Sequence, residues 1–136
     1  MAGKKPYLII NIILAGMIGL VLIYSGLFSA DKDNHPVPSY FEKITGQPSP
    51  SSGMSRAFSE IIRGNFETAR NYNDDSLLIF AFFLIQGMQR ISVSILLVKS
   101  GIKKKHLLFA DVFLTVVSFI LCFLGQIRAM LQLLSG

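Results

Sequence analysis

Three apolar stretches, each long enough to cross a lipid bilayer, constrain this chain more than any other feature. They are "YLIINIILAGMIGLVLIYSGLF" (7–28), "LLIFAFFLIQGMQRISVSILLV" (77–98) and a third run from Leu107 to Ile127. At about 1.5 Å per residue a helix of this length covers the roughly 30 Å hydrocarbon layer. Backbone polar groups in lipid must be satisfied internally, and a helix does this within one segment. The expected fold class is therefore all-α: one membrane domain, residues 1–136, with three transmembrane helices. Only 15% of the residues are charged, against roughly 25% in a typical soluble domain.

Charge placement sets the expected orientation. Lys4 and Lys5 precede the first run, and the basic hairpin 99–106 ("KSGIKKKH") joins the second to the third, with Gly101 as a helix stop. Lysine bias in short loops marks the cytoplasmic side. The N-terminus is then cytoplasmic, and residues 30–75 and the C-terminus lie on the outer side. The first run exceeds a signal-peptide core of about 7–15 residues, and Phe28 is too large for the −3 position of a cut after Ala30, so an uncleaved anchor is expected. The net charge of +5 is explained by lysines flanking the spans. No basic stripe interleaves with aromatics, so no nucleic-acid partner is expected.

The outer segment has two characters. From Asp31 to Ser52 it is turn-rich, and its four prolines and Gly46 forbid a long helix. Tyr40, Phe41 and Ile44 can rest on the membrane interface. From Ser52 the pattern turns helical: Met54, Phe58, Ile61 and Ile62 share one face, and Arg56 with Glu60 makes an i,i+4 pair on another. Ser52 or Ser55 can cap the start, and Gly64 sits where the helix should stop. Asn65 then caps "FETARNY", with Phe66, Ala69 and Tyr72 on one face. The expectation is two short amphipathic helices between spans one and two. They either lie in the outer interface, apolar side down, or cover the spans as a lid. Asn73 to Ser76 can cap the first turn of span two.

The stretch from His35 to Gln86 resembles a bacterial family of small membrane proteins of unknown function. That family carries Cys-Pro-x-Cys-Gly-x-Thr-Arg, then Arg-Gly-Asn/Asp-Phe, then Tyr/Asn-Asn-Pro before a span. Pro50, Gly53, Arg56, Arg63, Gly64, Asn65, Phe66 and Asn73 fall on the pattern. Ser49 and Ser52 replace the two cysteines, Ser55 the Thr and Asp74 the Pro. Paired cysteines can form a redox couple or bind a metal, and serines do neither well. What survives is turn and cap chemistry at Pro50, Ser52 and Gly53. Arg56 remains able to donate to exposed turn carbonyls or to a lipid phosphate. The resemblance also implies a bacterial inner membrane.

Ionisable groups inside a span are functional candidates by default. Span two carries Gln86, Arg90 and Ser94 on one stripe, and span three carries Asp111, Thr115, Ser118 and Cys122 on another. Counted outward from Ile102, Ser94 is level with Asp111, and Arg90, one turn further, snorkels to it. An Arg90–Asp111 pair with Gln86 beside it is expected to close a polar seam. Its role is to neutralise two charges and fix register, to form part of an ion or proton path, or to meet a partner subunit. Ala15, Gly16 and Gly19 on span one allow close approach of another helix, and the Asn11 amide can bond across such a contact.

Catalytic chemistry is not indicated. His35 and His106 fall on opposite sides of the membrane, and neither has neighbours at metal-ligand spacing. The loop serines have no base placed to activate them, no phosphate-binding glycine loop is present, and Cys122 stands alone. No cofactor or metal is expected. The expected function is a small non-catalytic accessory or assembly subunit, partnered by lipid and by other membrane subunits or copies of itself. Alternatives are a homo-oligomeric pore using Arg90, Asp111 and Gln86, and a lipid- or peptide-binding module using Arg56 and Arg63.

Overall fold

The computed structural model describes residues 4–28, 53–99 and 104–135. Among them every regular element is a helix: α1 (Lys4–Leu27), α2 (Met54–Ile62), α3 (Phe66–Tyr72), α4 (Ser76–Lys99) and α5 (Lys104–Ser135). Pro6–Leu27, Ser76–Lys99 and Lys105–Gln132 are each long and apolar enough to cross a membrane. The molecule is thus consistent with an integral membrane protein. Pro50, Ser52, the Asp31–Ser52 turn region and Gly101 lie outside the described residues.

The third helix is longer than the apolar run that announces it. The run ends at Ile127, but α5 continues to Ser135. Residues 128–135 are mostly Ala, Met, Leu and Gln, all strong helix formers, with no Gly or Pro among them.

α4 is the central span, packed against α1 on one side and α5 on another. It runs antiparallel to both, so the N-terminal ends of α1 and α5 share the lysine-rich end with Lys99. The α4–α5 register is fixed by three contacts. Asp75 meets Gln126 at 3.1 Å, Phe82 meets Phe119 with ring centroids 5.9 Å apart, and Arg90 meets Asp111 at 2.7 Å. These positions recur about every two helical turns on each helix, as a straight seam between near-antiparallel helices requires. Gly125 lets the Asp75 carboxylate lie against α5, since a Cβ there would overlap it. On the other side Ile18 of α1 packs at 3.5 Å from where a Gly87 Cβ would stand.

The two short helices pack as a wedge on the spans. Ala57, Phe58 and Ile61 of α2, Ala69 of α3 and Ile79 of α4 form the buried apolar core, with Val21 and Phe123 against it. Phe58 meets Phe80 and Phe83 edge-on at 5.2 and 5.6 Å. The apolar face of α2 is therefore spent on α1 and α4, as in the lid arrangement. Ile62 and Phe66 remain exposed.

Local chemistry differs from the sequence expectation at three points. α2 starts at Gly53, in the left-handed region at φ 77°, with no side-chain cap, and Ser55 lies inside the helix. Glu60 does not pair with Arg56; its Oε2 accepts from the Asn65 amide at 2.7 Å, because the chain reverses at Gly64 and brings Asn65 back over the last turn. The Asn65 side chain is thereby used on Glu60 and leaves the start of α3 uncapped. The Gly64 stop is as expected: at φ 85° it lets the Asn65 N–H reach the Glu60 carbonyl (2.9 Å) and its own N–H reach Ile61 (3.0 Å). This pair of bonds closes a helix end. Before α4, the Asn73 side chain accepts from the Asp75 N–H at 3.1 Å.

Gly64→Ala should lower stability by about 1–2 kcal/mol, the cost of a left-handed conformation. Gly53→Ala should cost more, because its Cβ also meets the Tyr72 carbonyl. Thermal unfolding in mild detergent checks the order.

Candidate functional site

The apolar runs of α1, α4 and α5 each place polar side chains on the face turned to the other spans. Arg90 and Asp111 are 6% and 3% exposed, and Nη1 of Arg90 lies 2.7 Å from Oδ2 of Asp111. Among the described residues this is the one ion pair. Arg90 also donates from Nη1 to Asn11 Oδ1 (2.9 Å) and from Nη2 to Thr115 Oγ1 (2.7 Å) and Gln86 Oε1 (3.3 Å). Asp111 accepts from the Tyr7 hydroxyl on Oδ2 and from Gln89 Nε2 on Oδ1 at 2.5 Å. Burying two ions costs several kcal/mol each, and geometry this complete is what offsets it.

The network joins all three spans. Tyr7 and Asn11 come from α1, Gln86, Gln89 and Arg90 from α4, and Asp111, Thr115 and Ser118 from α5. Gln86 Nε2 donates to Gln89 Oε1 and to Ser118 Oγ, both at 3.1 Å. From Asp111 to Ser118 the ladder climbs about 10 Å along α5. The next layer of the α4–α5 seam is aromatic. Phe82 lies 5.9 Å from Phe119 and 5.2 Å from Phe123, and those two stack at 4.7 Å. The ladder therefore borders a water-excluding layer on the side away from the lysines.

Arg90, Asp111 and Gln86 are brought together, with Arg90 itself level with Asp111. Ser94, placed level with Asp111 by the sequence count, instead bonds back to its own helix at the Arg90 carbonyl (2.7 Å). The count took Ile102 as the hairpin centre, whereas the ion pair and the aromatic layer set the register about one turn away. Two members escaped the sequence reading. Gln89 is three residues after Gln86, hence on the same stripe, and Tyr7 is four before Asn11. Cys122 is buried and free.

At the other end, the described motif residues Arg63, Gly64 and Asn65 make contacts within the fold. Arg63 donates from Nη1 to the Ser59 carbonyl (2.8 Å) and from Nη2 to the Phe28 and Gly26 carbonyls (3.3 and 3.5 Å). It thus closes the end of α2 and satisfies the last carbonyls of α1. Arg56 is half-buried and makes no hydrogen bond to a described residue. The Pro/Ser turn whose carbonyls the sequence offered to Arg56 lies outside the described residues. Among the described residues no three His, Cys, Asp or Glu side chains gather as a metal site requires. Comparison with protein-family models, curated proteins and solved structures gives no match to this chain.

Arg90→Ala and Asp111→Ala each strand one buried charge and should lower stability by about 3–5 kcal/mol. Asn11→Ala removes one acceptor of the Arg90 guanidinium but leaves the ion pair in place, and should cost less, about 1.5–3 kcal/mol. Melting temperatures of the three variants in mild detergent check this ranking.

Proposed function

We propose that this chain is a small, non-catalytic subunit of a larger membrane assembly, held in a bacterial inner membrane with its lysine-rich end in the cytoplasm. The observation that carries the reading is on α1. Gly16 and Gly19 have no atom within 4 Å of a Cβ position, while another face of the same helix is taken by α4. An open small-residue face inside a membrane suits a second helix that approaches to backbone contact. The polar network supports the same reading, because each of its side chains is already hydrogen-bonded within the chain and serves its own spans first.

A pore built from several copies is the second reading, favoured by the polar ladder from Asp111 to Ser118. The adjoining Phe82, Phe119 and Phe123 layer weighs against it. The two readings separate in a mild-detergent pull-down analysed for stoichiometry. The subunit reading expects a fixed ratio of other membrane proteins, and the pore reading a ring of identical chains.

Gly16→Ile combined with Gly19→Ile should abolish co-purification of the partners while leaving the melting temperature within about 2 °C, since ordinary surface substitutions stay within about 0.5 kcal/mol. Retention of the partners by this variant would refute α1 as the docking face.

A further inference from the structure

A groove of about 580 Å³ runs along the outside of the α4–α5 seam. Its walls are mostly apolar, from Leu96 to Ile85 on α4 and from Leu107 to Cys122 on α5. Ser92 and Ala110 keep it open. The polar groups beneath it, Gln89, Asp111 and Ser118, are engaged in the network, so the face it offers is almost purely hydrocarbon.

Two dimensions identify the occupant. At about 1.5 Å per residue, the walls extend roughly 16 Å along α4 and roughly 22 Å along α5. A hydrocarbon layer of roughly 30 Å gives about 15 Å per leaflet. The groove spans one leaflet along α4 and reaches past the midplane along α5, too short for a crossing helix and suited to an acyl chain. Its open end is cationic. Leu96 is three residues from Lys99, Leu107 is two from Lys105, and both lysines are exposed. No Asp or Glu occurs in the sequence from Ser76 to Ala110, while Lys99, Lys103, Lys104 and Lys105 all do. Basic pockets between spans at a membrane face bind anionic headgroups.

We propose that this groove holds an acyl chain of one anionic phospholipid from the lysine-bearing leaflet, with its phosphate on Lys99 and Lys105. The lipid covers the exposed flank of the α4–α5 seam and keeps water from the charge pair beneath it.

The test is native mass spectrometry of the full chain, delipidated in detergent and titrated with palmitoyl-oleoyl phosphatidylglycerol or with the phosphatidylcholine of the same chains. One phosphatidylglycerol should bind about thirtyfold more tightly than phosphatidylcholine, from about one kcal/mol for each of the two lysines. Lys99→Gln with Lys105→Gln should bring the two lipids level. Ser92→Phe and Ala110→Phe, on opposite walls, should each weaken both lipids, and either one suffices if the other fails to fold. Equal binding of the two lipids by the unaltered chain would overturn the proposal. So would phosphatidylglycerol binding untouched by the phenylalanine that folds, or a dimer that either phenylalanine breaks apart.

Discussion

An arginine and an aspartate buried among apolar helices can persist only if each finds the other and the remaining lone pairs and N–H groups are filled. That requirement organises the lysine-rich half of the molecule. Arg90 lies on the central helix and needs acceptors from both neighbours. Asn11 on α1 and Asp111 and Thr115 on α5 supply them. Tyr7 completes the ring by donating to the same carboxylate from α1. Lipid gives helices little hydrophobic reason to associate, so polar contacts and close packing must hold them together. Here the network does this for α5, which has little direct contact with α1.

The opposite end is closed by other means. There α2 and α3 fill the angle between α1 and α4 with Ala57, Phe58, Ile61 and Ala69, and Arg63 stitches α2 to the end of α1. Asp75 lies over Gly125 and accepts from Gln126, which pins the start of α4 to α5. Between the two ends, Phe82, Phe119 and Phe123 form a layer without polar atoms. Ion pair, aromatic layer and Asp75 contact repeat along one seam, so a slip of one turn would break all three together. What is left over is the membrane-facing surface, including the open glycines of α1 and the groove beside α4 and α5. A partner helix or a lipid can use only these leftovers, because the interior is already occupied.

Long-period patterns were legible in the sequence, and pairings between distant residues were only partly so. Three spans and two short helices follow from run length and helical periodicity. The Arg90–Asp111 pair follows from the rule that a buried charge needs a partner. Its register did not follow, because a hairpin midpoint carries no information about which side chains interlock. Gln89 and Tyr7 were missed because a Gln or Tyr in a span reads as ordinary until its neighbours on the helix face are counted. The caps of α2 and α3 were misassigned for a different reason. Serine and asparagine favour N-cap positions on average, but at Gly53 the backbone geometry demanded glycine, and at Asn65 the Glu60 carboxylate offered a better use for the amide. That Arg63 reaches the last carbonyls of α1 depends on the direction in which α2 lies on α1, which the sequence does not carry.

Whether the ion pair fastens the three spans is decided by a double-mutant cycle with Arg90→Gln and Asp111→Asn, read as unfolding free energy in mild detergent. These amides keep the shape and much of the hydrogen bonding while removing charge. If the pair is what fastens the three spans, each single change strands an ion and is strongly destabilising, and the double variant recovers much of the loss. A coupling of about 2 kcal/mol or more is then expected. Additive effects, or a harmless single change, would mean that the charges do not depend on one another and that the bundle is held by something else.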